Sequence, residues 1–294
     1  MGNDRVGAVI VTYHPSGRLR ANIASLRPQV DDLVIVDNGS GAETSTLLEE
    51  ISSTYECRLI ANKTNLGVAT ALNLGVAELM KTGCAFIALF DQDSCVTDCF
   101  IQSMLTTYAA PSCAKEHLRV GMVVPTYVDE RSGAAMPLMK DSAGCVLASM
   151  TSGSFLPIGT FERCGLFDES LFIDYVDIEY CLRIAQDGFS IVQSPRARLL
   201  HSLGALKQHR FATRTFSATN HSAARRYYIT RNRATLFARY LTTKPGWVAR
   251  DLWAMLAETA KILLVENDRL RKLTYIGLGL VDASLRRTRY RVEL

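Results

Sequence analysis

One pattern occurs four times in the first ninety residues: a short apolar run, rich in β-branched residues, stops on polar residues. The runs are Val6–Val11, Leu33–Val36, Cys57–Ile60 and Ala85–Phe90. Near-continuous apolar runs of this length suit strands buried on both faces of a parallel sheet. Residues 16–29, 42–54 and 67–81, which separate them, read as helices. A βαβαβαβ order implies a mostly parallel sheet flanked by helices on both faces. Ligands of such sheets bind outside the carboxyl ends of the strands. The polar stops therefore count together. Thr12 and Tyr13 follow the first run, Asp37 and Asn38 the second, Asn62 and Asn65 the third, and Asp91, Gln92 and Asp93 the fourth. Loop composition alone is a poor explanation for four consecutive strands that deliver polar groups to one edge.

Beyond residue 100 the order is less regular. Strands are expected at Val120–Val124, Thr151–Leu156 and Ser190–Gln193, and helices near residues 162–164 and 177–187. From about residue 221 the chain turns helical and basic. The expected organisation is thus an α/β domain over residues 1–220 and a helical region over 221–294. The 294 residues are 48% apolar, enough to bury a sizeable core. No run of 18 apolar residues is present, and the start lacks a basic segment followed by an apolar one, so a cytoplasmic location is expected. The eight cysteines form no CxxC pair. Reduced, mostly buried thiols are expected rather than zinc ligands or disulfides.

The net charge of +4 conceals an asymmetry. Residues 1–195 hold 13 Lys/Arg against 23 Asp/Glu, and residues 196–294 hold 20 against 6. An acidic front can gather a cation, and a basic back can meet phosphates or an anionic surface. No aromatic-basic nucleic-acid module is recognisable, so nucleic acid is not an expected partner.

Two carboxylates one residue apart at a strand end, Asp91 and Asp93, suit a hard divalent cation such as Mg2+ or Mn2+, which takes oxygen ligands and bridges to substrate phosphates. Asp93 could equally cap a helix that follows. A second acidic cluster holds Asp174, Asp177 and Glu179 between apolar residues. A carboxylate there could accept the proton of an attacking hydroxyl. Asp177 could also cap the helix that carries Cys181 and Leu182. His201 is a further candidate metal ligand, although a lone histidine is more often structural.

These residues resemble the inverting family 2 glycosyltransferases of the GT-A fold, a Rossmann-like architecture. The resemblance rests on Val11-Thr12-Tyr13, Val36-Asp37-Asn38-Gly39-Ser40, Asn65-Leu66-Gly67 with Ala71 and Asn73, and the DxD strand. Further details are similar to a bacterial rhamnosyltransferase branch. They are Asp91-Gln92-Asp93-Ser94, Thr151-Ser152-Gly153-Ser154, the run Leu171–Asp177, His201-Ser202-Leu203-Gly204, and the run Arg226–Asn232. The resemblance implies that Asp37 reads the pyrimidine edge, Tyr13 packs near the base and Asn65 holds the nucleoside, with Thr12, Asn38 and Gln92 beside them. It implies Asp93 as principal metal ligand, Asp91 near the ribose or donor, and His201 completing the metal or diphosphate site. Asp177 aligns with the catalytic base; the acidic residue expected before it is Val176 here, so Asp174 is a second catalytic candidate. Arg226 and Arg231 would grip the diphosphate. The implied donor is dTDP-β-L-rhamnose. The implied acceptor is a glycan, often lipid-linked, as in the synthesis of cell-surface polysaccharides such as O-antigen.

Other readings compete. A sugar nucleotidyltransferase needs a glycine-rich phosphate loop after the first strand, where this chain has Thr12-Tyr13-His14-Pro15. A non-catalytic nucleotide-sugar scaffold would not need the DxD and Asp177. Another nucleotide sugar would serve the same chemistry. Residues 247–265 form an amphipathic helix whose tryptophans and basic fringe suit the inner face of a membrane. Packing on the catalytic domain, or a homodimer contact, explains that face equally well.

Overall fold

The computed structural model describes residues 4–110, 118–130, 132–201, 207–211, 214–218 and 221–287; side chains from 201 to 220 lie outside that description. The four apolar runs become β1 (Val6–Thr12), β2 (Asp32–Asp37), β3 (Arg58–Ala61) and β4 (Phe86–Asp91). They pair in parallel, in the order β3-β2-β1-β4. Every residue of β1 is buried, as a central strand covered on both faces requires. The helices between the runs are α1 (Arg18–Leu26), α2 (Ala42–Thr54) and α3 (Val68–Met80). Alternation sorts their partners. Val6, Ala8 and Ile10 join a core cluster with Leu19 and Ile23 of α1 and Ile51 of α2, while Val9 faces Gly75 of α3.

The remaining strands make the sheet mixed. In chain order they are β5 (Cys95–Val96), β6 (Arg119–Asp129), β7 (Phe155–Pro157) and β8 (Phe189–His201). The eight-stranded order is β3-β2-β1-β4-β7-β6-β8-β5. β7 is antiparallel to both β4 and β6, and β8 runs parallel to β6 through two register shifts. The strand expected over Thr151–Leu156 is only Phe155–Pro157; its first half is a tight loop. Helices α4 (Phe100–Ala109), α5 (Ile158–Cys164) and α6 (Val176–Gln186) complete this part. The seven described cysteines are free thiols, four of them buried.

The chain divides into two compact units. The first holds residues up to Glu169 and Val176–Ser202; the second holds Ser170–Tyr175 and everything from Leu203. The second unit contains a hairpin of β9 (Lys207–Phe211) and β10 (Arg214–Ala218), and the helices α7 (Ala223–Tyr240), α8 (Pro245–Val265) and α9 (Arg269–Ser284). Ser222 caps α7, its hydroxyl accepting from Arg225 N.

Charged groups occupy much of this second interior. The buried Glu266 carboxylate accepts from Arg226 Nη2 and Lys272 Nζ, both at 2.8 Å. Burial opposes its ionisation, but the hydrogen bond from Lys272 and the nearby cations hold its carboxyl below the usual range. Arg233 Nε donates to Asp251 at 2.9 Å, and its Nη groups reach Glu258. The Tyr175 hydroxyl joins them, donating to Asp251. Segment Ser170–Tyr175 is clamped to α7. Asn232 Nδ2 donates to the carbonyls of Leu171, Ile173 and Asp174, and Arg231 Nη2 to those of Ser170 and Leu171. The clamped backbone is left-handed at Phe172, Asp174 and Tyr175, with φ of 63°, 60° and 65°.

Replacing Glu266 by Gln removes the negative charge that Arg226 and Lys272 share. The expected loss is about 3–5 kcal/mol of unfolding free energy, read by denaturant titration. Because its carboxyl is depressed in the folded state, the wild-type contribution is complete above the ordinary carboxylate range and is lost as pH falls from there through the lower folded-state value. The variant's curve should therefore converge on wild type in acid.

Candidate active site

The carboxyl ends of β1, β2 and β4 lie side by side, with Thr12 in register with Asp37 and Val11 with Asp91. Thr12 Oγ1 donates to Asp37 Oδ1 at 2.9 Å. The buried Asp37 carboxylate also accepts from the Ser40 hydroxyl and from Ser40 N, the latter at 3.0 Å on Oδ2. Three donors fix its orientation, and Oδ2 retains acceptor capacity. Tyr13 is partly exposed, its ring 4.3 Å from that of His14.

Gln92, expected beside the donor, has a different task. Its Oε1 accepts from Tyr13 N at 2.7 Å and its Nε2 donates to Tyr13 O at 3.1 Å. The amide thus ties the end of β4 to the end of β1. Asn38 ties β2 to the loop after β3. Its Oδ1 accepts from Asn62 Nδ2 and Leu66 N, and its Nδ2 donates to Asn65 Oδ1 at 2.9 Å. Asn65 Oδ1 also accepts from Gly67 N, just before α3. Gly39 makes this closeness feasible: at φ 87°, a Cβ would lie 2.4 Å from the Thr64 carbonyl carbon.

Asp91 ends β4, and Asp93 is exposed two residues on. Burial, and then the charge of Asp93, push the Asp91 carboxyl up to about 6. Behind the pair lies the Thr151–Ser154 loop. Ser152 Oγ accepts from Asp91 N at 3.1 Å and shares a 2.6 Å bond with the Ser94 hydroxyl. Gly153 N donates to Leu89 O at 2.7 Å. At φ 80°, a Cβ on Gly153 would meet Pro125 Cγ at 2.7 Å. Tyr127 of β6 supports this loop from below. Its hydroxyl lies 3.0 Å from Ser152 O and 3.2 Å from Met150 O, donating between them, and 2.9 Å from Ser149 Oγ. Burial raises its pKa; Cys181, Asp177 and Asp91 add smaller electrostatic contributions. Sequence reasoning passed over Tyr127, whose only signal was a phenol in an apolar strand.

Asp177 is the second residue of α6, where the helix dipole favours a carboxylate. Its Oδ1 accepts from Ile178 N at 2.8 Å. Arg183 anchors the helix, pairing with Glu179 at 2.7 Å and donating to the carbonyls of Cys164 and Leu166. Asp174, the second catalytic candidate, belongs to the other unit, where Arg225 Nε and Nη2 grip its carboxylate in a fork. Arg226 and Arg231, expected on the diphosphate, are only 4% and 3% exposed. Arg226 is engaged by Glu266, and Arg231 by the carbonyls of Ser170 and Leu171 and by Asn232. His201 stands opposite Asp129 in the sheet, and its side chain lies outside the described residues.

Among the described residues no group of three metal-ligating side chains forms. The donor set of Asp91 and Asp93 nevertheless fits a hard cation. It is all oxygen, one carboxylate is desolvated, and the two repel each other.

A parallel half-sheet with a DxD at its carboxyl edge, continued by antiparallel strands, is the architecture of the GT-A fold. The sequence model for Glycosyl transferase family 2 matches residues 8–114. Over 95% of both chains, this protein is 28% identical to dTDP-rhamnosyl transferase RfbF of Shigella flexneri. Similar solved structures include GalNAc-T7 with UDP, GalNAc and Mn2+ (TM-score 0.57, 16% identity, 80% of this chain and 47% of that one). Another is the mannosyltransferase PcManGT of Pyrobaculum calidifontis with GDP-Man and Mn2+ (TM-score 0.56, 14% identity, 99% and 89%). The chain thus spans about half the length of GalNAc-T7 and nearly all of RfbF. Residues 8–114 thus match a family 2 glycosyltransferase domain, and the chain is similar to a dTDP-rhamnosyl transferase along nearly its whole length.

Tyr127→Phe should leave the fold intact and lower unfolding free energy by about 1–2 kcal/mol, since it strips the loop carbonyls of their buried donor. A loss below a few tenths of a kcal/mol in urea titration would remove Tyr127 from the loop's support.

Proposed function

We propose that this enzyme moves L-rhamnose from dTDP-β-L-rhamnose to a hydroxyl of a glycan acceptor, with inversion at the anomeric carbon. The observation that carries the donor is the near full-length likeness to dTDP-rhamnosyl transferase RfbF. In this reading Asp37 Oδ2 accepts from the pyrimidine N–H, and the partly exposed Tyr13 ring packs near the base. Thr12 fixes the Asp37 carboxylate, and Gln92 fixes the backbone beneath Tyr13. Asn38 and Asn65 shape the loop beside the nucleoside. Asp93 and Asp91, with His201, would hold Mg2+ or Mn2+. Such a cation neutralises charge on a departing diphosphate. With Arg226 and Arg231 engaged internally, the reading no longer gives them the diphosphate.

Asp177 takes the catalytic role. As the acceptor oxygen attacks the anomeric carbon, the Asp177 carboxylate accepts the hydroxyl proton. Asp177 is preferred to Asp174, whose carboxylate is already neutralised by the Arg225 fork. A lipid-linked acceptor would place the enzyme at the cytoplasmic membrane face. No helix among the described residues is long and apolar enough to cross a membrane.

The test is a panel of nucleotide sugars with Mg2+ or Mn2+, scoring both binding and nucleoside diphosphate release. Binding and turnover of dTDP-rhamnose are expected; turnover of another donor in its place would overturn the rhamnosyl reading, and binding without turnover on any acceptor would favour a scaffold. Asp177→Asn should keep donor affinity in calorimetry and lose about 10²–10⁴-fold in transfer rate. Near-normal turnover would move the base elsewhere. Asp93→Ala should abolish the metal dependence of dTDP binding, and chelator should weaken wild-type binding to the level of the variant.

A further inference from the structure

Helices α8 and α9 are built inside out. Their acidic residues and Lys272 turn inward: Asp251 and Glu258 of α8 reach Arg233, and Lys272 and Asp282 of α9 are buried on Glu266 and the Tyr227 hydroxyl. Most of their large apolar residues turn outward, Val248 and Ile262 excepted. Leu252, Trp253, Leu256, Leu263 and Leu264 of α8 are all exposed, Trp253 by 73%. Leu270, Leu278, Leu280 and Val281 of α9 are exposed as well, Leu270 by 83%. Positions 252, 256 and 263, like 253, 260 and 264, recur at helical spacing, so the apolar residues of α8 share one stripe. An apolar face of this extent marks an interaction surface.

Charge says what covers it. The exposed residues at its margins are Arg250 and Lys261 on α8, Arg269 and Arg271 on α9, and Arg286 and Arg287 after it. Of the five acidic residues between 221 and 287, four are engaged inside the unit, and Asp268 is exposed. A second copy on a two-fold axis would set this basic margin against itself, a like-charge contact that costs several kcal/mol. An anionic bilayer supplies both an apolar interior for leucine and tryptophan and phosphate for the margin.

We propose that the outer face of α8 and α9 docks on an anionic lipid bilayer surface. The proposal rests on this face and is independent of which nucleotide sugar the enzyme uses. The test is co-sedimentation of the full chain with phosphatidylglycerol-containing vesicles, with pure phosphatidylcholine vesicles as the neutral arm. The chain should pellet with the anionic vesicles, stay in the supernatant with the neutral ones, and be released by high salt. Trp253→Ser with Leu256→Ser should abolish pelleting. Arg250→Gln with Lys261→Gln should weaken partitioning about 25-fold, at about fivefold per cation. Both pairs lie on exposed positions, and unchanged dTDP binding and circular dichroism in each would show that the loss belongs to this face. Absence of binding to anionic vesicles, equal binding to neutral ones, or a concentration-dependent dimer that the Trp253/Leu256 pair dissolves would each overturn the proposal.

Discussion

The carboxyl ends of three strands are held level by side chains where strand pairing stops. At the last rung of β1 and β2 Thr12 meets Asp37, and just beyond the strand ends the Gln92 amide brackets the Tyr13 backbone and Asn38 reaches the loop of Asn62–Gly67. Without these ties the strand ends would fray into separate loops. With them, Asp37, Tyr13, Asn65 and Asp91 sit at the carboxyl edge of the same four strands. The price is burial of polar groups, and each of these is matched by a partner, as interior amides and carboxylates require.

The same accounting explains the arginines of α7. From sequence, an Arg-rich helix beside an acidic nucleotide-sugar site reads as phosphate-gripping, because the sequence shows the guanidinium and hides its partner. In the structure, Arg226 is bound to Glu266, forty residues away, and Arg231 serves main-chain carbonyls sixty residues back. Buried pairs of this kind add little net stability relative to a well-packed apolar core, but breaking one is costly. They fix which helix lies against which.

Much of the first unit was legible because period and burial agree there. The four parallel strands fall within a residue or so of their expected bounds, and α2 spans the expected residues. The failures have physical causes. β8 runs from Phe189 to His201, through Pro195 and two register shifts that sequence reads as an end. α4 lacks a side-chain cap and begins after a left-handed Cys99, so no start signal announces it. Thr151–Ser154 looks like a strand in composition, but Gly153 turns it. Asp174 and Asp177 are three residues apart in sequence, yet the fold gives them to different units. In the candidate site the positions of the carboxylates and asparagines were legible, since polar residues that stop an apolar run are conspicuous. Tyr127 was not, since its role depends on carbonyls that only the fold delivers.

The left-handed backbone at Phe172, Asp174 and Tyr175 has a consequence for synthesis on the ribosome. Three such residues, two of them aromatic, cost about 1–2 kcal/mol each. What offsets that cost is donated by Arg225, Arg231 and Asn232, some 50 to 60 residues further along the chain. The four parallel strands are complete by Asp91 and can pair as they emerge. The segment before α6 cannot take its final form until α7 has left the exit tunnel, so a turn in the middle of the sequence waits for residues that follow it.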